Sequence, residues 1–453
     1  MEGLSLRSGL LIMKILLIDP SAFFLDFAMR CEAQGHEVRV FIGPDEKTFE
    51  RVSIGDGLLH KVPTWKGSMN WAELICISDN CRYMREIEGY RSRGYPIFSA
   101  NLEGTSWEMD RLKGQDVLEQ AGIECLPCIK FKNWDEAIAH QLANLDVRYV
   151  CKPCSDVDKA LSYVSKSAKD MIFMLQHWKR TIKKPCPFIF QEFCPGIEVA
   201  VGGWMGRNGF LGHVLENFEF KKLMNGEKGP NTGEMGTVMK YVPIAESKLA
   251  TELLLPVEAA LIRSGYTGYI DVAVMLGTDG PRKGCLNPLE FTSRHGWPLF
   301  CIQQILHPDV AGWMKDALEG HDTFQPETDV ALGIFVAMPD FPNHHLKEEQ
   351  LSGFPVWGLT KHNRYYFHPF NMKLGEGIDE KGKTVPMMVT AGNAIATVTG
   401  CGRTVQAAKK DAYGHLAELE IPNSPMYRTD IGDRLEEQLP ILQKYGYCTS
   451  WRF

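Results

Sequence analysis

The octad Gly229-Pro-Asn-Thr-Gly-Glu-Met-Gly236 decides the fold, together with the later segment Pro288-Leu-Glu-Phe-Thr-Ser-Arg-His295. The glycines and the Asn-Thr pair of the octad are typical of a loop that moves around a ligand. The second segment ends a strand-like run and carries a carboxylate, Glu290, and a guanidinium, Arg294. A glycine-rich loop followed by this pair predicts a site that binds a nucleotide phosphate and its metal ion.

The composition is that of an ordinary folded protein. The chain has 453 residues, of which 44% are apolar and 23% charged, and this length leaves room for about two to four domains. A formal net charge of -7 argues against a surface that coats nucleic acid, because such surfaces carry a basic excess. We therefore expect small-molecule substrates and no nucleic-acid partner, whereas the oligomeric state is left open.

The first apolar stretch of the chain has the pattern of a buried strand. Residues 10–18 are interrupted by Lys14 and followed by Asp19-Pro20, where a signal peptide would need small residues. No other segment approaches the roughly 18 apolar residues of a membrane helix. We therefore expect a cytoplasmic protein without a membrane partner, and we interpret residues 1–12 as an extension.

The order of apolar patterns predicts the fold class α/β and α+β. Strands at 15–18, 37–42, 74–78 and 95–99 alternate with helices at 23–34 and 84–93, as in a parallel, helix-covered sheet. Later strands and helices do not alternate in this way, and segments 197–204 and 209–215 are expected to form an antiparallel pair. The predicted regions are a Rossmann-like N-terminal domain (13–108), a central α+β domain (109–325), a small C-terminal α+β domain (326–435) and a tail (436–453).

Charged and polar residues follow one another through the central region. In chain order they are Arg111, Lys152, Gln191-Glu192-Phe193, Glu198, Asp271 and Glu290. Cations can hold phosphate oxygens, main chain at a strand end can contact an adenine edge, and a carboxylate can hold ribose hydroxyls. Carboxylates on strands supply the oxygen ligands that Mg²⁺ prefers. The set predicts an ATP site between two α+β lobes.

These motifs resemble the ATP-grasp superfamily and, within it, phosphoribosylamine–glycine ligase. The family loop Gly-Pro-Asn-Thr-Gly-Gly-Met-Gly differs from the octad only at Glu234. The resemblance covers residues 13–435 in colinear order. Its other motifs are residues 266–269, 290–296, 191–198, 400–405 and 428–432.

The resemblance implies an ATP-dependent ligase that joins a glycine-like carboxylate to an amine acceptor through an acyl phosphate. Lys152 and Arg111 would hold the α- and β-phosphates, and Arg294 would stabilise the transferring phosphoryl group. Gln191, Glu192 and Phe193 would contact adenine, and Glu198 would contact the ribose. Asp271, Glu290 and Thr292 would form the metal site. The substrate loop would comprise Gly229, Pro230, Asn231, Thr232, Gly233, Met235 and Gly236. The metal is expected to be Mg²⁺, and Mn²⁺ could take its place.

Three departures from the family concern the substrates. The first turn reads Pro20-Ser-Ala-Phe-Phe24 where the family has a glycine pair that receives the phosphoribosyl phosphate. The acidic stretch Ser155-Asp-Val-Asp-Lys159 replaces a glycine loop, and Trp297-Pro-Leu299 replaces Asp-Pro-Glu. They leave open a ligase that joins glycine or another amino acid to a different amine, in specialised nucleotide or natural-product metabolism. The acidic stretch, together with Thr292 where the family has an asparagine ligand, also leaves open a nucleotide-binding regulatory protein without turnover.

The 13 cysteines are expected to be free thiols. Four of them have a spacing similar to that of a zinc ribbon, namely Cys125, Cys128, Cys151 and Cys154. A zinc site therefore stays an alternative at this point.

Overall fold

The computed structural model describes residues 12–44, 52–154, 162–182, 187–343 and 345–453. Within these ranges no helix is long and apolar enough to cross a membrane. Residues 1–11 of the predicted extension and the acidic stretch 155–159 lie outside the described residues.

The N-terminal region is built on a three-stranded parallel sheet with the order β2-β1-β3. Its elements are β1 (Lys14–Ile18), α1 (Leu25–Ala33), β2 (Glu37–Phe41), β3 (Leu74–Ile77) and α2 (Met84–Arg91). The apolar residues of β1 are fully buried, as expected for the central strand of a parallel sheet. Residues 95–99 were predicted as a fourth strand, but they contribute only a bridge between Ile97 and Ile75, and Pro96 has no N–H to donate to a ladder.

The next region forms a separate four-stranded antiparallel sheet with the order β4-β7-β5-β6. Its strands and helices are α3 (Leu102–Met109), α4 (Arg111–Gln120), β4 (Cys128–Phe131), α5 (Trp134–Ala143), β5 (Tyr149–Pro153), β6 (Tyr163–Val164), α6 (Ala168–Thr181) and β7 (Phe188–Glu192). The side chain of Asp110 accepts hydrogen bonds from the first N–H groups of α4, a cap that fixes where the helix begins. Arg111 is therefore held at the first position of α4.

The centre of the molecule is an eight-stranded sheet with the order β14-β13-β8-β9-β12-β15-β20-β17. The predicted antiparallel pair corresponds to β8 and β9, and β9 continues past the predicted end at residue 215 as far as Glu219. The elements of this part of the chain are β8 (Gly196–Gly206), β9 (Gly209–Glu219), β10 (Lys222–Met224), β11 (Lys228–Asn231), β12 (Gly236–Pro243), α7 (Lys248–Leu253), α8 (Leu255–Ser264), β13 (Gly268–Gly277), β14 (Leu286–Thr292), α9 (Leu299–Gln303) and α10 (Gly312–Glu319).

The C-terminal part adds strands to this sheet and forms a small sheet of its own, β16-β19-β18. Its elements are β15 (Val330–Ala337), α11 (Glu348–Leu351), β16 (Ser352–Pro355), β17 (Phe367–Pro369), β18 (Met372–Ile378), β19 (Thr384–Ala391), β20 (Ala394–Gly402), α12 (Val405–Ala417) and α13 (Leu435–Lys444). The central and C-terminal regions share the main sheet through β15, β17 and β20. The mixture of parallel and antiparallel sheets with helices confirms the predicted fold class.

Candidate active site

One face of the eight-stranded sheet carries a row of polar side chains. The register of β13 and β14 sets Asp271 opposite Thr292. The next pair on the same face is Ala273 opposite Glu290. Because side chains alternate between the two faces of a strand, this register and those of β8 and β9 determine which residues share the face. The polar face comprises Glu198, Asn217, Glu219, Asp271, Glu290 and Thr292.

A narrow cleft lies between part of this face, helix α4 and the four-stranded sheet. Ile189 and Gln191 line it from β7, and residues 288–291 line it from β14. The ion pair between Arg111 and Glu290 spans the cleft. The Nε of Arg111 also donates to the backbone carbonyl of Pro153 at 3.1 Å. Arg111 thus connects helix α4, the end of β5 and the polar face.

Lys221 lies among three carboxylates at the end of β9. Its Nζ is 2.6 Å from Glu198, 3.1 Å from Glu219 and 3.9 Å from Glu290. Burial would lower the pKa of Lys221, but these carboxylates outweigh burial and raise the pKa well above its usual value. Lys221 is therefore charged at neutral pH.

Lys152 and Glu290 influence each other's pKa. Burial lowers the pKa of Lys152, and Glu290 opposes this effect. Burial would raise the pKa of Glu290, but the cations Arg111, Lys221 and Lys152 together bring the pKa below its usual value. The predicted phosphate ligands Arg111 and Lys152 therefore lie together with the predicted metal ligand Glu290. Such a cluster of cations and carboxylates suits a polyphosphate with its metal ion.

Asp271 is buried on the polar face, and one of its carboxyl oxygens accepts two hydrogen bonds. Its Oδ2 accepts hydrogen bonds from Asn217 Nδ2 at 2.9 Å and from the hydroxyl of Tyr269 at 3.0 Å. Burial, and then Glu219, raises the pKa of Asp271 to about 7. A buried carboxyl with its pKa raised in this way gains from a nearby cation. Together with the oxygens of Glu290 and Thr292, Asp271 offers the hard ligands that Mg²⁺ prefers, so the residues present fit that ion.

Within the described ranges, three side chains that could ligate a metal converge so that their ligand atoms lie within 4.8 Å of one another. They are Asp26, Cys301 and His368. The guanidinium of Arg30 already occupies this group, since its Nε lies 2.8 Å from Asp26 and its Nη2 3.2 Å from His368. The group is therefore a buried ionic network between α1 and β17. The four cysteines with zinc-ribbon spacing form no such group within the described ranges. Cys125 and Cys128 instead line the cleft.

Arg294 is held at the edge of the site by two acidic residues from the N-terminal half of the chain. Its Nε lies 3.1 Å from Asp79 and 3.1 Å from Glu108. Glu108 also accepts the backbone N–H of Ser293 at 2.8 Å. Burial would lower the pKa of Arg294, but Glu108 and Asp79 raise it. Arg294, the cation predicted to stabilise the transferring phosphoryl group, is thus fixed in place after β14 and is positively charged.

The segment predicted to contact adenine ends β7. The backbone N–H of Glu192 donates to Pro127 at 3.4 Å, and that of Phe193 donates to Arg148 at 2.9 Å. Both donors are therefore used within the sheet, and an adenine contact would use other main-chain groups of this segment. The guanidinium carbon of Arg148 lies 3.4 Å from the centre of the Phe193 ring. Gln191 is buried and lines the cleft.

The octad divides into an exposed half and a buried half. Residues 229–231 belong to the exposed hairpin β10-β11, whereas Glu234, Met235 and Gly236 are buried. A Cβ on Gly236 would lie 2.6 Å from the carbonyl oxygen of Gly333, so only glycine fits there without a shift of the backbone. The hairpin is anchored by Arg428 from the late Arg-x-Asp-Ile-Gly motif, which binds Glu227 and the carbonyl of Lys222.

In the turn between β1 and α1, the backbone N–H groups are already hydrogen-bonded to the side chain of Asp19. Asp19 accepts hydrogen bonds from the backbone N–H groups of Phe23 and Phe24, each at 2.8 Å. These N–H groups precede α1, where a helix N-terminus would otherwise favour a bound anion. Phe23 stacks on Trp297, with ring centres 5.8 Å apart. The turn therefore presents aromatic surface in place of free backbone donors.

Asn217 and Glu219 of the polar face, and Lys221 just beyond the end of β9, were missed in the sequence. The strand was predicted to end at residue 215, so the polar residues after it had no assigned direction. A signal was present, because polar residues at 217, 219 and 221 alternate with Phe218 and Phe220, as in a strand with one polar face. Asp79 and Glu108 gave no comparable signal, because only the folded chain brings them to Arg294.

No protein-family model matches the chain. It is 28% identical to phosphoribosylamine–glycine ligase of Ralstonia nicotianae over 225 residues, which cover 48% of this chain and 49% of that enzyme. It is also 28% identical to phosphoribosylamine–glycine ligase of Xylella fastidiosa over 370 residues, which cover 77% of this chain and 79% of that enzyme. The chain thus spans about half the length of the first curated relative it matches.

Two solved structures share the fold. Phosphoribosylamine–glycine ligase of Thermotoga maritima matches with a TM-score of 0.69 and 18% identity, covering 92% of this chain and 99% of that one. The biotin carboxylase domain of Hydrogenobacter thermophilus 2-oxoglutarate carboxylase, in complex with ADP, its magnesium salt and bicarbonate, matches with a TM-score of 0.59 and 12% identity, covering 95% and 99%. The sequence similarity and the shared architecture together confirm the predicted ATP-grasp fold and the resemblance to phosphoribosylamine–glycine ligase.

Proposed function

We propose that this chain is an ATP-dependent carboxylate–amine ligase that forms an amide through an acyl phosphate. The observation that carries the proposal is the arrangement of Arg111, Lys152 and Lys221 around the carboxylates of the polar face. Three cations grouped with several carboxylates suit a nucleoside triphosphate with Mg²⁺. The names of the relatives, phosphoribosylamine–glycine ligases, support the same class of reaction.

The residues of the cleft divide the work of phosphoryl transfer. Arg111 and Lys152 would exchange their carboxylate neighbours for the α- and β-phosphates of ATP. Asp271, Glu290 and Thr292 would hold Mg²⁺, which neutralises phosphate charge when bound. Arg294, fixed by Asp79 and Glu108, would face the charge that develops on the transferring phosphoryl group. Positioning and electrostatic stabilisation supply most of the catalysis in such reactions.

The test is ATP cleavage to ADP and phosphate with Mg²⁺, first with single amino acids and then with an added amine. We expect cleavage that depends on both Mg²⁺ and a carboxylate, and an amide product when the amine is present. The variant Glu290→Ala should abolish this cleavage together with the Mg²⁺-dependent part of the thermal stabilisation by ATP. ATP binding without turnover for any carboxylate and amine would contradict the proposal and favour a regulatory protein.

A second candidate concerns the amine acceptor. Asp19 already binds the N–H groups of Phe23 and Phe24, which occupy the turn where the resembled family receives the phosphoribosyl phosphate. This observation favours an acceptor other than phosphoribosylamine. The test compares phosphoribosylamine, generated in place, with amines that carry no phosphate. Higher kcat/KM for phosphoribosylamine would contradict this candidate and leave the ligase function intact.

A further inference from the structure

Glu234 is a buried acidic residue within the octad. Its side chain is 4% exposed, and its Oε1 accepts no hydrogen bond from any described residue. The resembled family has glycine at this position, so Glu234 is a departure of this chain from the family's loop motif. A buried carboxyl oxygen without a partner is costly, so a ligand that donates a hydrogen bond to it would stabilise the loop.

The charged groups that act most strongly on Glu234 belong to the candidate site, and the thiol of Cys301 also interacts with Glu234 electrostatically. The charged groups are the carboxyls of Glu219 and Asp271 and the cations of Lys221 and Arg294. Burial, and then Glu219, raises the pKa of Glu234 well above its usual value, whereas Lys221 and Arg294 act in the opposite direction. A ligand that donates a hydrogen bond to Glu234 and carries positive charge would oppose the effect of burial and favour the ionised carboxylate.

We propose that Glu234 binds the amino group of the acceptor and takes up one of its protons when the amide forms. This inference rests on the ligase function proposed above. It identifies a specificity-determining residue, since a glycine at position 234 would have no side chain to contact the amine.

The residues beside Glu234 indicate the chemical class of the acceptor. Met235 packs in an apolar cluster with Phe335 and Phe370, and Phe23 and Trp297 cover this cluster while remaining half-buried. The rings of Trp297 and Phe370 are centred 4.0 Å apart. Because Asp19 also uses the N–H groups of the first turn, this side of the site suits a primary amine with an apolar carbon skeleton and no phosphate.

The proton balance of the second step is consistent with this role. An amine enters as an ammonium ion, whose charge opposes the effect of burial, so that Glu234 releases its own proton to solvent and binds the ammonium as a carboxylate. The carboxylate then takes one proton from the nitrogen and so frees the lone pair. The nitrogen then bonds to the acyl carbon, and the bond from that carbon to the phosphate oxygen breaks. Phosphate leaves with the electron pair and takes the second nitrogen proton as hydrogen phosphate. A carboxyl with a raised pKa is suited to accept such a proton.

A second divalent cation is a less suitable partner for Glu234. Within the described ranges, Glu234, Glu219 and Asp271 do not converge within 4.8 Å of one another as the ligands of one ion would. An ammonium group requires only one or two acceptors at hydrogen-bonding distance.

The experiment measures separately the two steps that the chain would catalyse, acyl phosphate formation and amide formation. Acyl phosphate formation is measured with ATP, Mg²⁺ and the amino acid that supports wild-type ATP cleavage, by trapping with hydroxylamine as the hydroxamate. Amide formation is then measured with benzylamine and with phosphoribosylamine. We expect Glu234→Gln to form hydroxamate at the wild-type rate, while its KM for benzylamine rises by about 10- to 100-fold, the loss expected for a hydrogen bond to a charged group. Glu234→Asp should recover part of the affinity.

Glu216→Gln is the matched control. Glu216 is also buried with its pKa raised by burial, but it lies on the opposite face of β9, where it binds Ser247 and Trp451. The control should keep wild-type kinetics in both steps, and the melting temperature of each variant verifies folding.

Several outcomes would overturn the inference. They are an unchanged KM for benzylamine in Glu234→Gln, a change in the Mg²⁺ requirement in place of the amine KM, and amide formation with phosphoribosylamine alone or with neither amine. A wild-type protein that forms no hydroxamate would instead overturn the ligase function itself, and the role of Glu234 with it.

Discussion

The ammonium group of Lys221 lies 2.6 Å from the carboxylate of Glu198. Glu198 is the residue that the resemblance implies as the ribose ligand, so this ion pair lies in the region where a nucleotide would bind. Burial would raise the pKa of Glu198, but Lys221 outweighs burial and lowers the pKa. Lys221 therefore keeps Glu198 ionised and able to accept hydrogen bonds from hydroxyl groups.

Replacing Lys221 by methionine should impair ATP use. The change leaves Glu198, Glu219 and Glu290 without their shared cation, so their mutual repulsion increases and the phosphates lose a counter-charge. We expect kcat/KM for ATP to fall on the order of 100-fold, as for the loss of a preorganised electrostatic contact. The measurement is steady-state ADP formation at saturating carboxylate.

Lys228→Met provides the control for Lys221, because Lys228 is an exposed lysine in β11. It should retain wild-type kcat/KM for ATP. Equal losses in the two variants would show that a general change of charge near the hairpin, and not the contact with Glu198, is responsible.

Asp271 should make the free protein less stable as the pH rises. Its pKa in the folded state is about 7, above the unfolded value of about 3.9. Between these values the folded state keeps a proton that the unfolded state has released. The stabilisation is therefore fully present below about pH 4 and is lost as the pH rises to about 7, with a slope of at most about 1.4 kcal/mol per pH unit.

The variant Asp271→Asn should remove this pH dependence. At pH 8 without divalent cations we expect it to be more stable than the wild type, with an upper bound on the order of 4 kcal/mol. The measurement is urea unfolding between pH 4 and pH 8. Mg²⁺ should then stabilise the wild type more than the variant, since the carboxylate is a predicted ligand. A variant less stable than the wild type at pH 8 would contradict the assigned protonation.

Much of the fold was predictable because local patterns and long-range structure agree. The apolar runs that predicted β1 and β3 reflect strands buried on both faces, and the β8-β9 pair follows from two apolar runs joined by a short turn. Arg111, Lys152 and Glu290 were also expected to lie in one site. Their convergence depends on the order of motifs along the chain, which the fold preserves.

The rest depends on contacts between distant elements. Asp79 and Glu108 fix Arg294, yet nothing near either acid in the sequence indicates a partner so far along the chain. The burial of Glu234 was not predicted either, since a glutamate in a glycine-rich loop is usually solvated. The C-terminal strands β15, β17 and β20 join the central sheet, whereas pattern alone suggested a separate unit, because apolar runs do not specify which sheet they complete.

The C-terminal tail should contribute to stability. Trp451 is fully buried, and its indole N–H donates to Glu216 Oε2 at 2.8 Å. Trp451→Phe keeps most of the apolar contact but leaves the buried carboxyl with one donor fewer, so we expect a loss of about 1–3 kcal/mol in the free energy of unfolding. Trp451→Ala should cost about 3–5 kcal/mol, because a cavity is added.

Urea unfolding measures both tail variants, with Ser450→Ala as an exposed neighbouring control that should change stability by less than about 0.5 kcal/mol. A double-mutant cycle between Trp451→Phe and Glu216→Gln should give a coupling energy. Additive effects would mean that the hydrogen bond contributes nothing beyond packing.

Arg428 should control the order of the loop that carries the octad. Its side chain is 1% exposed and binds Glu227 at 2.7 Å, Asp430 through two contacts of 2.8 Å, and the carbonyl of Lys222 at 3.1 Å. A lysine cannot reproduce this set of contacts, because it lacks the planar fork of the guanidinium. Arg428→Lys should therefore loosen the hairpin β10-β11 while leaving the main sheet folded.

Hydrogen exchange resolves that local effect. Amides of residues 222–231 should exchange about 10- to 100-fold faster in Arg428→Lys, which corresponds to about 1–3 kcal/mol of lost local stability, and the amides of β8 and β13 should be unchanged. Because the hairpin leads directly into Glu234, the KM for the amine should rise while the KM for ATP stays close to the wild-type value. Arg403→Lys, an exposed arginine from the neighbouring late motif, is the control. Faster exchange throughout the sheet would instead assign Arg428 to global stability and separate it from substrate binding.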